Sequence, residues 1–179
     1  TNDIRYASYF DTREITTPVV GRMTLLVKYP GNPLLYSAVT NYVNKPKIFR
    51  ISEMYLIAAE AAANKAGQDG IASYYLNELR SKRIGNWSDK EYSGVELMKE
   101  IREERVRELF GEGHRMNDLK RWHMGFSRSA GQDPDLVQPG ANYASCTRPA
   151  DDPYFLWPIP TDEIQANPHI EQNPAYTNN

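Results

Sequence analysis

Apolar positions along this chain fall into two regimes. Up to residue 48 they are scattered among Thr, Asn and Pro. One short run there, Met23-Thr24-Leu25-Leu26-Val27, reads as a strand and is broken by Pro30, Gly31 and Pro33. The rest of that segment is expected to be irregular. From Phe49 a helical period takes over. Ile51, Met54, Tyr55, Ala58 and Ala62 share one face, with enough alanine nearby for another helix to approach closely, and Gly67 ends the element. A second helix follows Gly70. Ala72, Tyr75, Leu76 and Leu79 form its stripe, Arg80, Lys82 and Arg83 sit where the helix dipole favours cations, and Gly85 stops it.

These two helices, with their tight Gly-containing connection, predict an antiparallel hairpin similar to one tetratricopeptide-type unit. A third helix starts at Ser93-Gly94-Val95-Glu96, which reads as a capping box: the Ser side chain on one orphan N–H, the Glu reaching back to another. Leu97, Met98, Ile101 and Leu109 span its apolar arc, and Arg105 and Glu108 fall inside that arc. Gly111 and Gly113 turn the chain. A fourth helix begins near His114 and places Arg115, Asp118, Leu119 and Trp122 together. Residues 125 to 153 carry many Gly and Pro and read as a long surface loop. Tyr154 to Pro160 is apolar and extended, its prolines forbidding a central strand. Thr161 is expected to cap a short last helix that ends by Pro168. The fold class is therefore mainly α, built of helical hairpins joined by long irregular loops.

Composition adds little except aromatics. A net charge of -2 gives no electrostatic reason to expect nucleic acid as a partner. No apolar run reaches the roughly 20 residues of a spanning helix. The 12 Tyr and 3 Trp supply flat amphipathic rings, suited either to packing or to polar ligands with apolar faces such as sugars. The lone Cys146 has no internal disulfide partner, and no Cys/His spacing points to a metal. No cofactor is implied. Thr1 opens in a polar stretch without a leader, so any targeting segment is expected to lie outside these residues.

Three ordered segments carry a resemblance. The first runs Arg50-Ile51-Ser52-Glu53-Met54-Tyr55-Leu56-Ile57-Ala58-Ala59-Glu60-Ala61, then Leu76-Asn77-Glu78-Leu79-Arg80. The second, the most specific, runs from Ile101 to Arg115 as IREERVRELFGEGHR, then Asp118-Leu119-Lys120-Arg121-Trp122. The third is Leu156-Trp157-Pro158-Ile159-Pro160 with Glu163-Ile164, Asn167-Pro168 and Gln172-Asn173-Pro174-Ala175-Tyr176. Together they resemble the C-terminal region of the SusD/RagB family. The match covers residues 48 to 176.

The resemblance implies a SusD-type, tetratricopeptide-like helical fold and a C-terminal fragment of a longer protein. Its parts would be an irregular segment at 1–48, the family's helical region at 49–176 and a tail at 177–179. It further implies an outward-facing outer-membrane lipoprotein, whose signal and anchor cysteine are absent from this chain. Such a protein would bind oligosaccharides or polysaccharides, less often peptides, as the partner of a SusC-like TonB-dependent transporter. It would make and break no bond. A second reading is a helical interaction module that docks a partner protein or binds peptide without a sugar site.

Charged residues around the third-helix corner raise the question of chemistry. Arg105, Glu108, His114, Arg115 and Asp118 offer carboxylates near a histidine, which acid–base catalysis or a metal would need. They also offer arginines among apolar residues, which burial obliges to be paired. The expected arrangement is an ion-pair network, with Glu108 and Asp118 as partners of Arg105 and Arg115. No nucleophile elbow, phosphate-binding Gly loop or zinc-protease helix occurs, so no catalytic residue is assigned. For sugar contact the candidates are aromatic and amide side chains in loops: Trp87, Asn86, Tyr36, Tyr42 and Tyr143. Structural packing is the stronger claim on Trp87 and on each tyrosine. Trp122 and Trp157, inside the motifs, are expected in the core.

Overall fold

The computed structural model describes residues 2–16, 21–35, 43–45, 47–128, 147–167 and 169–177. The chain packs as two compact units, Thr1–Glu112 and Gly113–Asn179.

In the first unit, helix α1 (Ile4–Tyr9) leads into strand β1 (Phe10–Ile15), which pairs antiparallel with β2 (Gly21–Leu26). Phe10 faces Leu26, and the Thr12 and Thr24 hydroxyls meet at 3.1 Å. The strand expected at residues 23–27 is thus present with a partner, and α1 occupies part of a segment whose pattern reads as irregular. Asp3 starts α1 because its carboxylate accepts the Arg5 backbone N–H at 2.9 Å.

Three helices follow: α2 (Ile51–Ala63), α3 (Asp69–Ser81) and α4 (Gly94–Glu108). They share one apolar core of Leu56, Ala59, Ala62, Ala72, Leu76, Leu79, Leu97, Ile101 and Leu109. Each fully buried Leu contributes about 1.5–3 kcal/mol. On α3 the expected Ala72, Leu76 and Leu79 are buried and Tyr75 is half-buried against the core. On α2 only Ala62 of the expected stripe is buried, with Ser52, Leu56 and Ala59 beside it, whereas Ile51 is 74% exposed. The sequence ISEMYLIAAEAAA is apolar around most of the helix, so period alone does not rank its faces. The face with Leu56 and the small alanines lets α3 and α4 come close.

Ser93 sits at the N-cap of α4 with extended backbone, yet its side chain makes no capping bond. The Asp69 carboxylate accepts the Gly94 N–H at 3.1 Å instead, so the cap comes from the start of α3. Two polar residues on α3 hold the connection to α4. Ser73 Oγ accepts the Tyr92 N–H at 3.1 Å and donates to the Tyr92 carbonyl at 3.2 Å. Asn77 donates to the Lys90 carbonyl at 2.8 Å and accepts the Lys90 N–H and the Trp87 indole N–H, each at 3.2 Å.

Gly111 and Gly113, with φ of 75° and 82°, adopt the left-handed conformation that a Cβ would strain. The second unit begins at α5 (His114–Arg121), where Asp118 and Leu119 are buried. A two-residue ladder pairs β3 (Phe126–Ser127) with β4 (Thr147–Arg148) inside the stretch expected to be loop. Phe155, in a 3₁₀ turn over Pro153–Phe155, is buried against Phe126 with ring centroids 6.3 Å apart. Helix α6 spans Thr161–Ala166, with Pro160 rather than Thr161 at its cap position. Trp157 does not join a core, being 87% exposed within this chain. Phe155, two residues earlier in the 3₁₀ turn, takes the buried place instead. Trp122 is half-buried, with the Arg121 guanidinium 4.4 Å from its ring centre. Among the described residues no helix is long and apolar enough to cross a membrane.

Candidate functional site

The charged face of α4 dominates the first unit. Glu104 and Glu108 are one turn apart and fully buried, and Glu112 follows four residues on. Burying carboxylates is costly unless they are paired and hydrogen-bonded, and here each is met by several cations. Arg83 binds Glu108 with both Nε and Nη2, at 2.9 and 3.0 Å. Arg50 reaches Glu108 at 3.1 Å and forks onto Glu112 at 3.0 and 2.8 Å. Arg5, from α1, touches Glu108 at 3.2 Å, Glu104 and Asp3. Arg80 binds Glu104 and Glu100, each at 2.8 Å. Lys28 donates to Glu112 and to the carbonyls of Glu108 and Phe110.

The electrostatics follow from this crowding. Burial by itself would raise the Glu108 carboxyl, but the bonds and charge of Arg83, with Arg50 and Ser52, outweigh it and hold Glu108 at about 2. Burial would likewise lower the Arg5 guanidinium, yet Asp3 and Glu104 push it above its usual value. Lys28 is the opposite case, since burial lowers it despite Glu112.

The five residues expected to form a corner network lie on α4 and α5. Glu108 is bonded to Arg5, Arg50 and Arg83. Asp118 is held by Arg121, one turn along α5, at 2.9 Å. Arg105 is buried on α4, His114 is half-buried at the start of α5, and Arg115 is exposed. The network thus centres on Glu104, Glu108 and Glu112, and most of its cations come from segments far away in sequence. Every oxygen of Glu108 is bonded to guanidinium, so this carboxylate is poorly placed to exchange a proton near neutral pH. Among the described residues no group of three or more His, Cys, Asp or Glu side chains could hold a metal ion.

Of the aromatic candidates, Tyr36, Tyr42 and Tyr143 lie outside the described residues. Trp87 is half-buried. Its N–H is bonded to Asn77, and Arg80 and Lys90 sit 5.4 and 5.2 Å from its ring centre. Asn86 takes a φ of 58°, which its short polar side chain tolerates. Both residues serve the turn between α3 and α4 in this arrangement. Trp87→Phe is expected to cost about 1 kcal/mol through the lost hydrogen bond, measured by urea denaturation.

A cavity of about 300 Å³ opens beside Glu112, with Tyr9, Lys28, Tyr29, Asn44, Lys47 and Arg50 on its walls. The Lys28 ammonium lies 4.1 Å from the Tyr9 ring centre, and the Tyr9 hydroxyl donates to the Glu108 carbonyl at 3.3 Å. Burial first, then the Glu112 charge, push the Tyr29 hydroxyl up. Asn44 donates from Nδ2 to the Tyr29 carbonyl at 3.2 Å. Two aromatic rings and an amide beside fixed charges can take a polar ring-shaped ligand.

A model of the SusD family matches residues 21–176. The chain belongs to the SusD family. SusD-like protein P25 of Formosa agariphila is 32% identical over 145 residues, covering 78% of this chain and 25% of that protein. Starch-binding protein SusD of Bacteroides thetaiotaomicron is 32% identical over 130 residues, covering 72% of this chain and 21% of that protein. The chain therefore spans about a quarter of the length of these relatives. A SusD superfamily protein from Bacteroides vulgatus superposes with a TM-score of 0.73 at 28% identity, over 98% of this chain and 36% of that one. A SusD-like carbohydrate binding protein from the same organism gives 0.73 at 22%, over 94% and 38%, which speaks to the fold alone. The mainly helical architecture here is thus that of SusD superfamily structures.

Within this SusD-family chain, the second motif block supplies Glu104, Glu108 and Glu112, while the first supplies Arg50 and Arg80. The most specific part of the family resemblance is therefore also the part that packs charge inside the fold. The cavity's Lys28, Tyr29 and Lys47 belong to neither block and carry no signal in the sequence that separates them from ordinary loop residues.

Proposed function

We propose that this chain is the C-terminal region of a non-catalytic glycan-binding protein of the cell surface. The whole protein is read as lipid-anchored on the outside of the outer membrane, passing oligosaccharides or polysaccharides to a SusC-like TonB-dependent transporter. Residues 49–176 form the family's helical region in this reading. The observation that carries it is the 32% identity to starch-binding protein SusD over 72% of this chain. The absence of catalysis is supported by the commitment of Glu108 to three arginines. Membrane anchoring and the transporter partner rest on the family.

Isothermal titration of the full-length protein against glycan and peptide panels tests the substrate class. Micromolar-range binding of at least one oligosaccharide, unchanged on prolonged incubation and without released products, is the expected result. Peptide binding with no saccharide binding overturns it. One observation favours the second reading, a helical module docking a protein: Phe49 and Ile51 are 83% and 74% exposed at the start of α2, with Ile57 exposed further along. A pull-down that recovers the transporter from a chain with no glycan affinity would select that reading.

A further inference from the structure

Charge is unevenly distributed around the cavity beside Glu112. Among the described residues its walls carry three cations, Lys28, Lys47 and Arg50, and the carboxylate of Glu112, with Glu108 paired to Arg50 behind them. The Lys28 ammonium has its three donors committed to Glu112 and to the carbonyls of Glu108 and Phe110, so it is fixed and contributes field rather than a free hydrogen bond. Arg50 is similarly anchored on Glu108 and Glu112. Lys47 differs: it is exposed and takes part in no ion pair among the described residues. Tyr29, half-buried, offers an aromatic ring on the same wall, and Asn44 keeps its Oδ1 as an acceptor while Nδ2 holds the Tyr29 carbonyl. At about 300 Å³ the space sits at the small end of ligand pockets and suits one sugar ring rather than an extended chain.

We infer that this cavity binds an acidic saccharide unit, a uronate or a sulfated hexose. The ring packs on Tyr29, a hydroxyl donates to Asn44 Oδ1, and the anionic group pairs with Lys47. This rests on the glycan-binding reading and names the substrate class for it. A neutral sugar would leave Lys47 without an anionic partner. A free anion without a sugar ring would leave the aromatic wall unused. An uncharged peptide would leave Lys47 unpaired, and none of the described residues lining the cavity belongs to a strand that could pair with it.

The test uses the full-length protein on an array of uronate-containing and sulfated oligosaccharides, each beside its methyl-esterified or desulfated counterpart, followed by titration of the hits. The acidic member of a pair should bind about tenfold tighter than its neutral counterpart, with the preference fading at high salt. Lys47→Ala should lose about fivefold of that preference and Lys47→Glu more, both at an exposed position that the fold does not need. Tyr29→Ala should weaken acidic and neutral members alike by about tenfold. Equal binding of both members, or an acidic preference untouched by Lys47→Glu, overturns the inference and leaves glycan capture standing. Binding of no saccharide at all by the wild-type protein overturns the functional reading itself, and this inference with it.

Discussion

Glu108→Gln should destabilise the protein by about 3–5 kcal/mol. The substitution keeps size and shape but removes the negative charge on which Arg5, Arg50 and Arg83 converge. Its amide nitrogen would then point donors at guanidinium donors. The loss is dominated by the stranded cations, because a buried ion with its partner removed is worse than no pair at all. The measurement is urea denaturation followed by near-ultraviolet circular dichroism, with wild type and variant compared at pH 7. A midpoint unchanged within error would mean that the network does not hold the fold. The same variant separates structure from catalysis: steady turnover of a polysaccharide by the wild type, abolished in Glu108→Gln, would revive an enzyme reading.

Acid should undo the same interaction. Glu108 has a carboxyl held at about 2 against an ordinary 4.5. Its folded state therefore binds a proton less readily than its unfolded state. The stability this supplies is fully present above pH 4.5 and is lost as the pH falls from there through about 2. The gap corresponds to about 3 kcal/mol at neutral pH. A pH series of urea midpoints should fall across that window in the wild type. In Glu108→Gln the contribution of this residue should be missing and the slope correspondingly shallower. Equal slopes in the two proteins would assign acid sensitivity to other carboxylates.

Both outcomes bear on how the family's charged motif should be read. A run such as IREERVRELFGEGHR looks like surface charge or like a catalytic cluster when written out. Folded, its Glu104 and Glu108 are as inaccessible as Leu97 and Ile101 on the same helix. The arginines that satisfy them come from α1, from the start of α2 and from the end of α3. Such a network ties the N-terminal segment to the helical core more specifically than apolar contact could, since each guanidinium fork accepts only one geometry.

The sequence by itself determined helices α2 to α5 and the family, but not α1. Period and glycine placement located α2 to α5 because local backbone preferences and a one-sided apolar stripe are properties of neighbouring residues. The three motif blocks assigned the chain to the SusD family on the same local footing. The tertiary structure decided what those residues meet. It chose the Leu56 face of α2 over the Ile51 face, because α3 and α4 need small side chains at close approach. It replaced the Ser93 cap by Asp69 from another helix and gave Glu108 to Arg5, which lies 103 residues away. It also gathered Tyr9, Lys28, Asn44 and Glu112 around one cavity. Pairings of that kind depend on chain closure over long separations, and no local pattern in the sequence encodes them.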